Sequence, residues 1–481
     1  MLGGVAVVPA IALFALFNWA DDRVADDNAA AVPPPPTIVV DPPPPDPPLA
    51  EGLLRYRRLA APVSRDLNLA QFAAQAAAFA PTVNDRSCVA ISVDGQPVAE
   101  RNAQSAVLPA SNQKLVVGAV ALDVLGDDFV YTTSVHGAVD DTGVVTGDLV
   151  LLGGGDPLLS SDWYPTSGLE RRPVLTPTSL DTLADRVRDA GVTRVAGDVV
   201  GDGSRYDDEF FAPGWGAGVA GLEAGPYDAL LANDARALGE DRRADDPNSG
   251  AAREFARLLR DRGIVVDGAA TSESGASTGL DEIAAIDSVP MADVVAEMLT
   301  NSDNNTAELL VKEIGLAASG DGTREAGGAA ISATLAGWGV PLDGVVFGDG
   351  SGLSLDNRLT CDALLAVLQR SGGDGVLAAG LPVAGETGSL SDVFVDHPVA
   401  GRLLGKTGTL NNPPFNADPP AVKALAGYVP VDGGGAVEYV LILNGPTISD
   451  QTEYRPVWTS LADVLNSYPA GVSPADVGIR R

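Results

Sequence analysis

At 481 residues, with 45% hydrophobic and 20% charged side chains, the chain has the composition of a folded protein of more than one domain, not of a disordered one. Its 64 Asp and Glu outnumber its 31 Lys and Arg, and a formal net charge of -33 argues against a nucleic-acid partner, whose phosphates would be repelled. Rare residues exclude more. His136 and His397 are the only histidines and neither sits in a recognisable triad setting, while Cys88 and Cys361 lack metal-ligand spacing and no HExxH stretch exists. No metal or organic cofactor is expected, and whether the two cysteines form a disulfide stays open.

Residues 2–17 are uncharged and almost wholly apolar, followed by Asp21 and Asp22. They read as an export signal or a membrane anchor, although they are short of the ~20 residues of a membrane span and no basic segment precedes them. The proline-rich tract over 29–50 reads as an extended spacer of about 3 Å per residue, suited to holding a domain off a membrane. Globular patterning begins near residue 51. Residues 86–99 predict a hairpin turning at Asp94-Gly95, and 115–125 predict a helix. Between 138 and 286, glycine-rich turns alternate with short strands such as 148–152 and 195–200, with helices near 179–190 and 251–262, which reads as an inserted β-rich module. Helices are expected again at 291–299 and 304–314, strands at 424–429 and 437–443, and a last helix near 458–465.

Lysine is scarce: Lys114, Lys312, Lys406 and Lys423 are the only four, and arginine fills the other basic positions. Such a chain should keep lysine where a cation must be able to lose its proton, which guanidinium cannot do. Ser111-Asn112-Gln113-Lys114 opens an apolar helical run, so one turn brings Lys114 within reach of the Ser111 hydroxyl. A partly desolvated lysine beside another cation can act as the base for serine attack, and the positive helix end favours the charge that develops. Alone, the pattern equally describes a capping serine and a solvated lysine. Ser302-Asp303-Asn304 lies between two helical stretches, where a hydroxyl can relay a proton and an amide can hold a substrate carbonyl. Lys406-Thr407-Gly408-Thr409 reads as a strand bordering a cleft, with positive potential and hydroxyls for a carboxylate and a glycine permitting close approach.

The three elements, S-x-x-K, S-x-N and K-T-G, each occur once and in that order, and this set is the one shared by class A β-lactamases and penicillin-binding proteins. The chain therefore resembles the penicillin-recognising serine acyltransferases. Within them it is similar to the low-molecular-mass class C penicillin-binding proteins, the D-alanyl-D-alanine carboxypeptidases and endopeptidases. That branch is singled out by the roughly 190-residue gap between Lys114 and Ser302, by Gly153-Gly154-Gly155-Asp156-Pro157, and by Asp349-Gly350-Ser351-Gly352-Leu353-Ser354 with Asn357-Arg358-Leu359-Thr360. The likeness covers roughly residues 52–468.

The resemblance implies an α/β fold, a three-layer transpeptidase or β-lactamase-like domain in two sequence pieces, 52–137 and 287–470, with a large insert over 138–286. The remainder would be a signal or anchor (1–20), a linker (21–51) and a tail (471–481). It implies that Ser111, activated by Lys114, attacks the penultimate D-alanine carbonyl of a peptidoglycan stem peptide, with the Ser111 and Thr409 backbone N–H groups as oxyanion hole. Ser302 and Lys406 would assist proton transfer, Asn304 would position the peptide, and Lys406, Thr407 and Thr409 would meet the terminal carboxylate beside Gly408. β-Lactam antibiotics would acylate the same serine, and the enzyme would work outside the cytoplasm, secreted or tethered. An apparent extra loop over 411–423 beside the cleft sets the chain apart. The rival readings are a β-lactamase or esterase of the same fold and a non-catalytic wall scaffold.

Overall fold

In the computed structural model the described residues are 61–468, except 217, 241, 412–419 and 432–434. The apolar N-terminal segment, the proline-rich tract, the tail and most of the expected extra loop lie outside them. Among the described residues no helix is long and apolar enough to cross a membrane.

The described residues begin with α1 (Ala61–Phe79), whose Phe72, Ala76 and Phe79 recur at helical spacing and are buried. The expected hairpin follows as β1 (Cys88–Val93) and β2 (Gln96–Arg101), with Asp94 and Gly95 both at positive φ, as the tight turn of a hairpin requires. Next comes α2 (Gln113–Val124), buried along most of its length. The C-terminal half supplies α5 (Met291–Asn301), α6 (Asn304–Ser319), α7 (Arg324–Gly337), α8 (Cys361–Ser371) and the short α9 (Val376–Ala379), then strands β13 (Leu404–Leu410), β14 (Ala421–Pro430) and β15 (Ala436–Gly445), and α10 (Gln451–Asn466).

Both ends of the chain build one antiparallel sheet in the order β13-β14-β15-β1-β2. β15 is buried on both faces, which explains why 437–443 is apolar at every position but Glu438. Ala90, Ala424, Ala426, Val440 and Ile442 point into a core shared with α2, α5, α6 and α8. Their neighbours Val89, Ile91, Leu425, Tyr439 and Leu441 point the other way, against α1 and α10. Helices, sheet and helices thus make the three-layer α/β domain, each strand serving two cores by its two-residue period.

Between α2 and α5 the chain forms further layers. β3 (Thr132–His136), β5 (Leu149–Leu152), β9 (Val199–Asp202), β11 (Ala270–Ser272) and β12 (Glu282–Asp287) make a five-stranded sheet in the order β11-β9-β5-β3-β12. β4 (Val144–Val145), β8 (Arg194–Val195) and β10 (Val265–Val266) make a small parallel sheet, and β6 (Leu159–Ser160) pairs with β7 (Thr178–Ser179). The amphipathic helices α3 (Leu180–Asp189) and α4 (Pro247–Asp261) bury Leu183, Val187, Phe255 and Leu259 in a separate core with these strands. The single strand expected over 195–200 is in fact two. β8 stops before Gly197, where a Cβ would lie 2.2 Å from the Asp148 carboxylate, and β9 resumes in the other sheet.

Cys88, the first residue of β1, is bonded to Cys361, the first residue of α8, closing 273 positions of sequence. Replacing both with alanine is expected to cost about 2–5 kcal/mol of stability. Thermal denaturation should show a lower Tm with the catalytic geometry retained, and an unchanged Tm would show the bond to be energetically idle. The histidines have local roles: the His136 ring bonds Ser134 Oγ at 2.8 Å, and His397 Nε2 lies 3.1 Å from the Asp463 carboxylate.

Candidate active site

Ser111 occupies a single 3-10 turn, Ala110–Asn112, that runs directly into α2. Ala110 has φ 48, which turns the chain sharply into this position. Lys114 stands one turn on and is fully buried. Its Nζ donates to Ser111 Oγ at 3.0 Å, to Asn304 Oδ1 at 2.8 Å and to the Ser351 carbonyl at 2.8 Å. Burial lowers the Lys114 ammonium to about 8, against the opposing pull of Asp303, Asp349 and Glu308.

Ser302 sits just past the end of α5 at φ 62, and this left-handed residue reverses the chain between two helices. Asp303 then caps α6 by accepting from Thr306 N, so the middle residue of the triplet is a capping group. Asn304 opens α6 and bridges outward, its Nδ2 donating to the Glu223 carbonyl at 2.8 Å. On β13, Lys406 is also fully buried, and its Nζ donates to Ser302 Oγ at 2.7 Å and to the Thr407 carbonyl at 2.8 Å. Burial and the positive charges of Lys114 and Arg172 hold it well below the usual lysine range. Two serine–lysine pairs thus stand together, each lysine the electrostatic neighbour of the other. A Cβ at Gly408 would come within 3.0 Å of the Pro109 carbonyl, so this glycine also lets β13 lie against the turn carrying Ser111.

Ser111, Ser302, Asn304, Thr407 and Thr409 line one cleft of about 420 Å³, with Lys423, Arg171 and Arg172 also on its walls. With Lys114 and Lys406 bonded to Ser111 and Ser302, all seven side chains expected at the site from the sequence therefore meet. Such an arrangement can deprotonate a serine, hold an anion beside it and relay a proton from a second serine.

The residues that hold this geometry have no role assigned from sequence alone. Glu308, one turn beyond Asn304 on α6, accepts from Gly350 N at 3.0 Å and Ser351 N at 2.7 Å, and burial raises its carboxyl to about 7. Asp349 accepts from Gly352 N at 2.8 Å, Asn357 Nδ2 at 2.7 Å and Trp215 Nε1 at 2.8 Å. The loop fixed in this way presents the Ser351 carbonyl to Lys114. Gly352 has φ 86, and a Cβ there would lie 2.0 Å from the Ala110 carbonyl, so only glycine lets the loop pass the Ser111 turn. The four-residue spacing of Asn304 and Glu308 was the signal available in the sequence.

A three-layer sheet domain joining S-x-x-K, S-D-N and K-T-G in one cleft defines a penicillin-recognising serine acyltransferase, here of the low-molecular-mass class C penicillin-binding type. The chain belongs to the D-Ala-D-Ala carboxypeptidase 3 (S13) family, whose model matches residues 69–220 and 227–465. It is 32% identical over 400 residues to carboxypeptidase DacB of Mycolicibacterium smegmatis, covering 78% of this chain and 79% of that one. It is 28% identical over 438 residues to a D-alanyl-D-alanine carboxypeptidase of Actinomadura sp. strain R39, covering 73% and 76%. In fold it is similar to the crystal structure of penicillin binding protein 4 from Haemophilus influenzae, with TM-score 0.67, 20% identity, and coverage of 82% of this chain and 99% of that one. The chain is accordingly a serine peptidase of the D-Ala-D-Ala type.

Proposed function

We propose that this enzyme hydrolyses D-alanyl bonds of peptidoglycan stem peptides through an acyl-enzyme on Ser111. The observation that carries the reading is the contact of a fully buried lysine, lowered to about 8, with Ser111 Oγ at 3.0 Å. Neutral Lys114 takes the hydroxyl proton as Oγ attacks the carbonyl carbon of the penultimate D-alanine. The Ser111 and Thr409 backbone N–H groups stabilise the oxyanion. Collapse breaks the C–N bond, and the proton that Lys114 took from Ser111 passes to the departing amine by way of Ser302, which Lys406 holds at 2.7 Å, leaving Lys114 neutral again. Water then attacks the ester, Lys114 again accepting the proton, and Ser111 is regenerated. Asn304 positions the peptide, and Lys406, Thr407 and Thr409 offer positive potential and hydroxyls to its terminal carboxylate beside Gly408.

In the same reading, 52–137 and 287–470 form the catalytic domain and 138–286 the insert. Residues 1–20 export the chain or anchor it to the membrane, so the enzyme faces the cell wall. β-Lactams acylate Ser111 in place of substrate.

The test is intact-mass measurement after incubation with a penicillin, with peptide mapping, beside an assay of D-alanine release from a D-alanyl-D-alanine peptide. A lasting adduct on the peptide holding Ser111, together with D-alanine release, is expected. No adduct and no release would reject the reading, and rapid penicillin turnover would favour the β-lactamase alternative. The base role adds a pH dependence: only neutral Lys114 can accept the proton, so the acylation rate should climb as pH rises through about 8 and level off above it. A stopped-flow acylation rate that stays flat across that range would remove Lys114 as the base.

A further inference from the structure

Beyond the KTGT end of the cleft lies a second cavity of about 290 Å³, between the segment after residue 390 and the first half of α10. Val393, Tyr454, Arg455 and Trp458 line both spaces, so the two adjoin. One side of the second cavity is aromatic: the Tyr454 and Trp458 rings meet edge-on with centroids 5.1 Å apart, and Phe394 lies 6.5 Å from Trp458, while Asp396 and His397 also face it. Phe394 is held at φ 62, a conformation that costs free energy in a bulky residue and is retained where neighbours impose it. Trp458 Nε1 is buried with no hydrogen-bond partner, an unused donor in the wall.

The approach from the catalytic centre is marked by charge. Lys423, a lysine that the catalytic motifs leave unused, donates from Nζ to Thr409 Oγ1 at 3.2 Å and stands 4.8 Å from the centre of the Tyr454 ring. Arg455 lies 5.9 Å from the same ring. Thr409 therefore connects through Lys423 to Tyr454 and on into the cavity. Under the proposed function, Thr407 and Thr409 meet the carboxylate of the leaving group. A single departing D-alanine ends at that carboxylate and has no atoms to fill a space further on.

We infer that this aromatic cavity is a subsite for the leaving strand of a peptide cross-link, the strand whose amine is released when a D-alanyl bond between two stem peptides is cut. Its aliphatic chain packs on Phe394, Tyr454 and Trp458, and a carboxylate on that strand meets Lys423 and Arg455. The inference rests on the proposed function and adds to it a binding subsite for the leaving strand.

The test compares a purified cross-linked muropeptide dimer with a single D-alanyl-D-alanine peptide, using two changes at cavity residues that do not line the catalytic cleft. Thr459→Trp fills the cavity from its rim, and Phe394→Ala removes one of its aromatic walls. Both should lower kcat/KM for the dimer by about tenfold or more, chiefly through KM, a loss of the size expected from spoiling one binding pocket. Penicillin acylation and D-alanine release from the single peptide should stay near wild type. Equal losses on both substrates, no loss on the dimer, or a wild type that releases D-alanine without cutting the dimer would each overturn the subsite. If Thr459→Trp abolishes penicillin acylation, its fold is disturbed, and Phe394→Ala decides by the same comparison. Failure of the proposed function itself would look different, because wild type would then form no penicillin adduct.

Discussion

A Ser111→Ala protein is expected to form no penicillin adduct and to lose D-alanine release by roughly 10⁴-fold or more, the scale seen when the nucleophile of a serine peptidase is removed. Three features argue for so large a loss. Ser111 is the hydroxyl that Lys114 Nζ touches, at 3.0 Å. Ser302, also in the cleft, is bound to Lys406 at 2.7 Å, and Lys114 itself contacts Asn304 at 2.8 Å. Removing one oxygen leaves the fold intact, because Ser111 lies in a partly open turn and contributes no core volume. Intact mass and a D-alanine assay check the result, and an adduct that persists in the variant would move the nucleophile elsewhere.

Lys114→Met should lower acylation by about 10²–10⁴-fold, the contribution of a positioned general base. The protein should nonetheless stay folded, for a reason the linkage makes explicit. Lys114 falls from the ordinary lysine value of 10.5 to about 8 on folding, so between those values the unfolded chain holds more protons than the folded one. The native state therefore gains stability as pH rises from about 8 towards 10.5, and below about 8 it carries the whole penalty, on the order of 3 kcal/mol. Methionine removes that penalty but leaves the Ser351 carbonyl and Asn304 Oδ1 without their donor, at about 1–3 kcal/mol each. The two effects offset one another, and Tm at neutral pH should stay within about 4–8 °C of wild type. Wild-type acylation rates in this variant would shift the base role to Lys406.

What could be read in the sequence was what local chemistry dictates. The Asp94-Gly95 turn and the amphipathic α4 follow from backbone preference and spacing, and the scarcity of lysine pointed to Lys114 and Lys406 before any geometry was known. The less legible parts depend on distant partners. α7 is rich in glycine and alanine (Arg324–Gly337), and its helical form rests on packing against α6: a Cβ at Gly327 would lie 2.0 Å from the Val311 carbonyl. α8 begins at Cys361, whose bond to Cys88 bridges the chain's two halves. The part played by Glu308 is invisible until α6 brings its carboxylate against the backbone of residues 350 and 351. In each case the local pattern is weak because the stabilising neighbour lies far away in sequence.

The antiparallel pairing of β3 with β12 matches Thr132 to Asp287, and the two side chains share a hydrogen bond of 2.7 Å. The long excursion between them thus leaves the catalytic domain and returns to it at almost one point, as a hairpin would. A graft or exchange of this module between relatives would ask little of the surrounding backbone, since its two attachment points already coincide. Yet the module is not a passenger: the Glu223 carbonyl takes the Asn304 amide at 2.8 Å, and Arg171 and Arg172 stand in the cleft wall. Any replacement that folds well but omits those groups would leave the Asn304 amide without its acceptor and the cleft without two cations, so only the parts of the insert facing away from Ser111 are free to be exchanged.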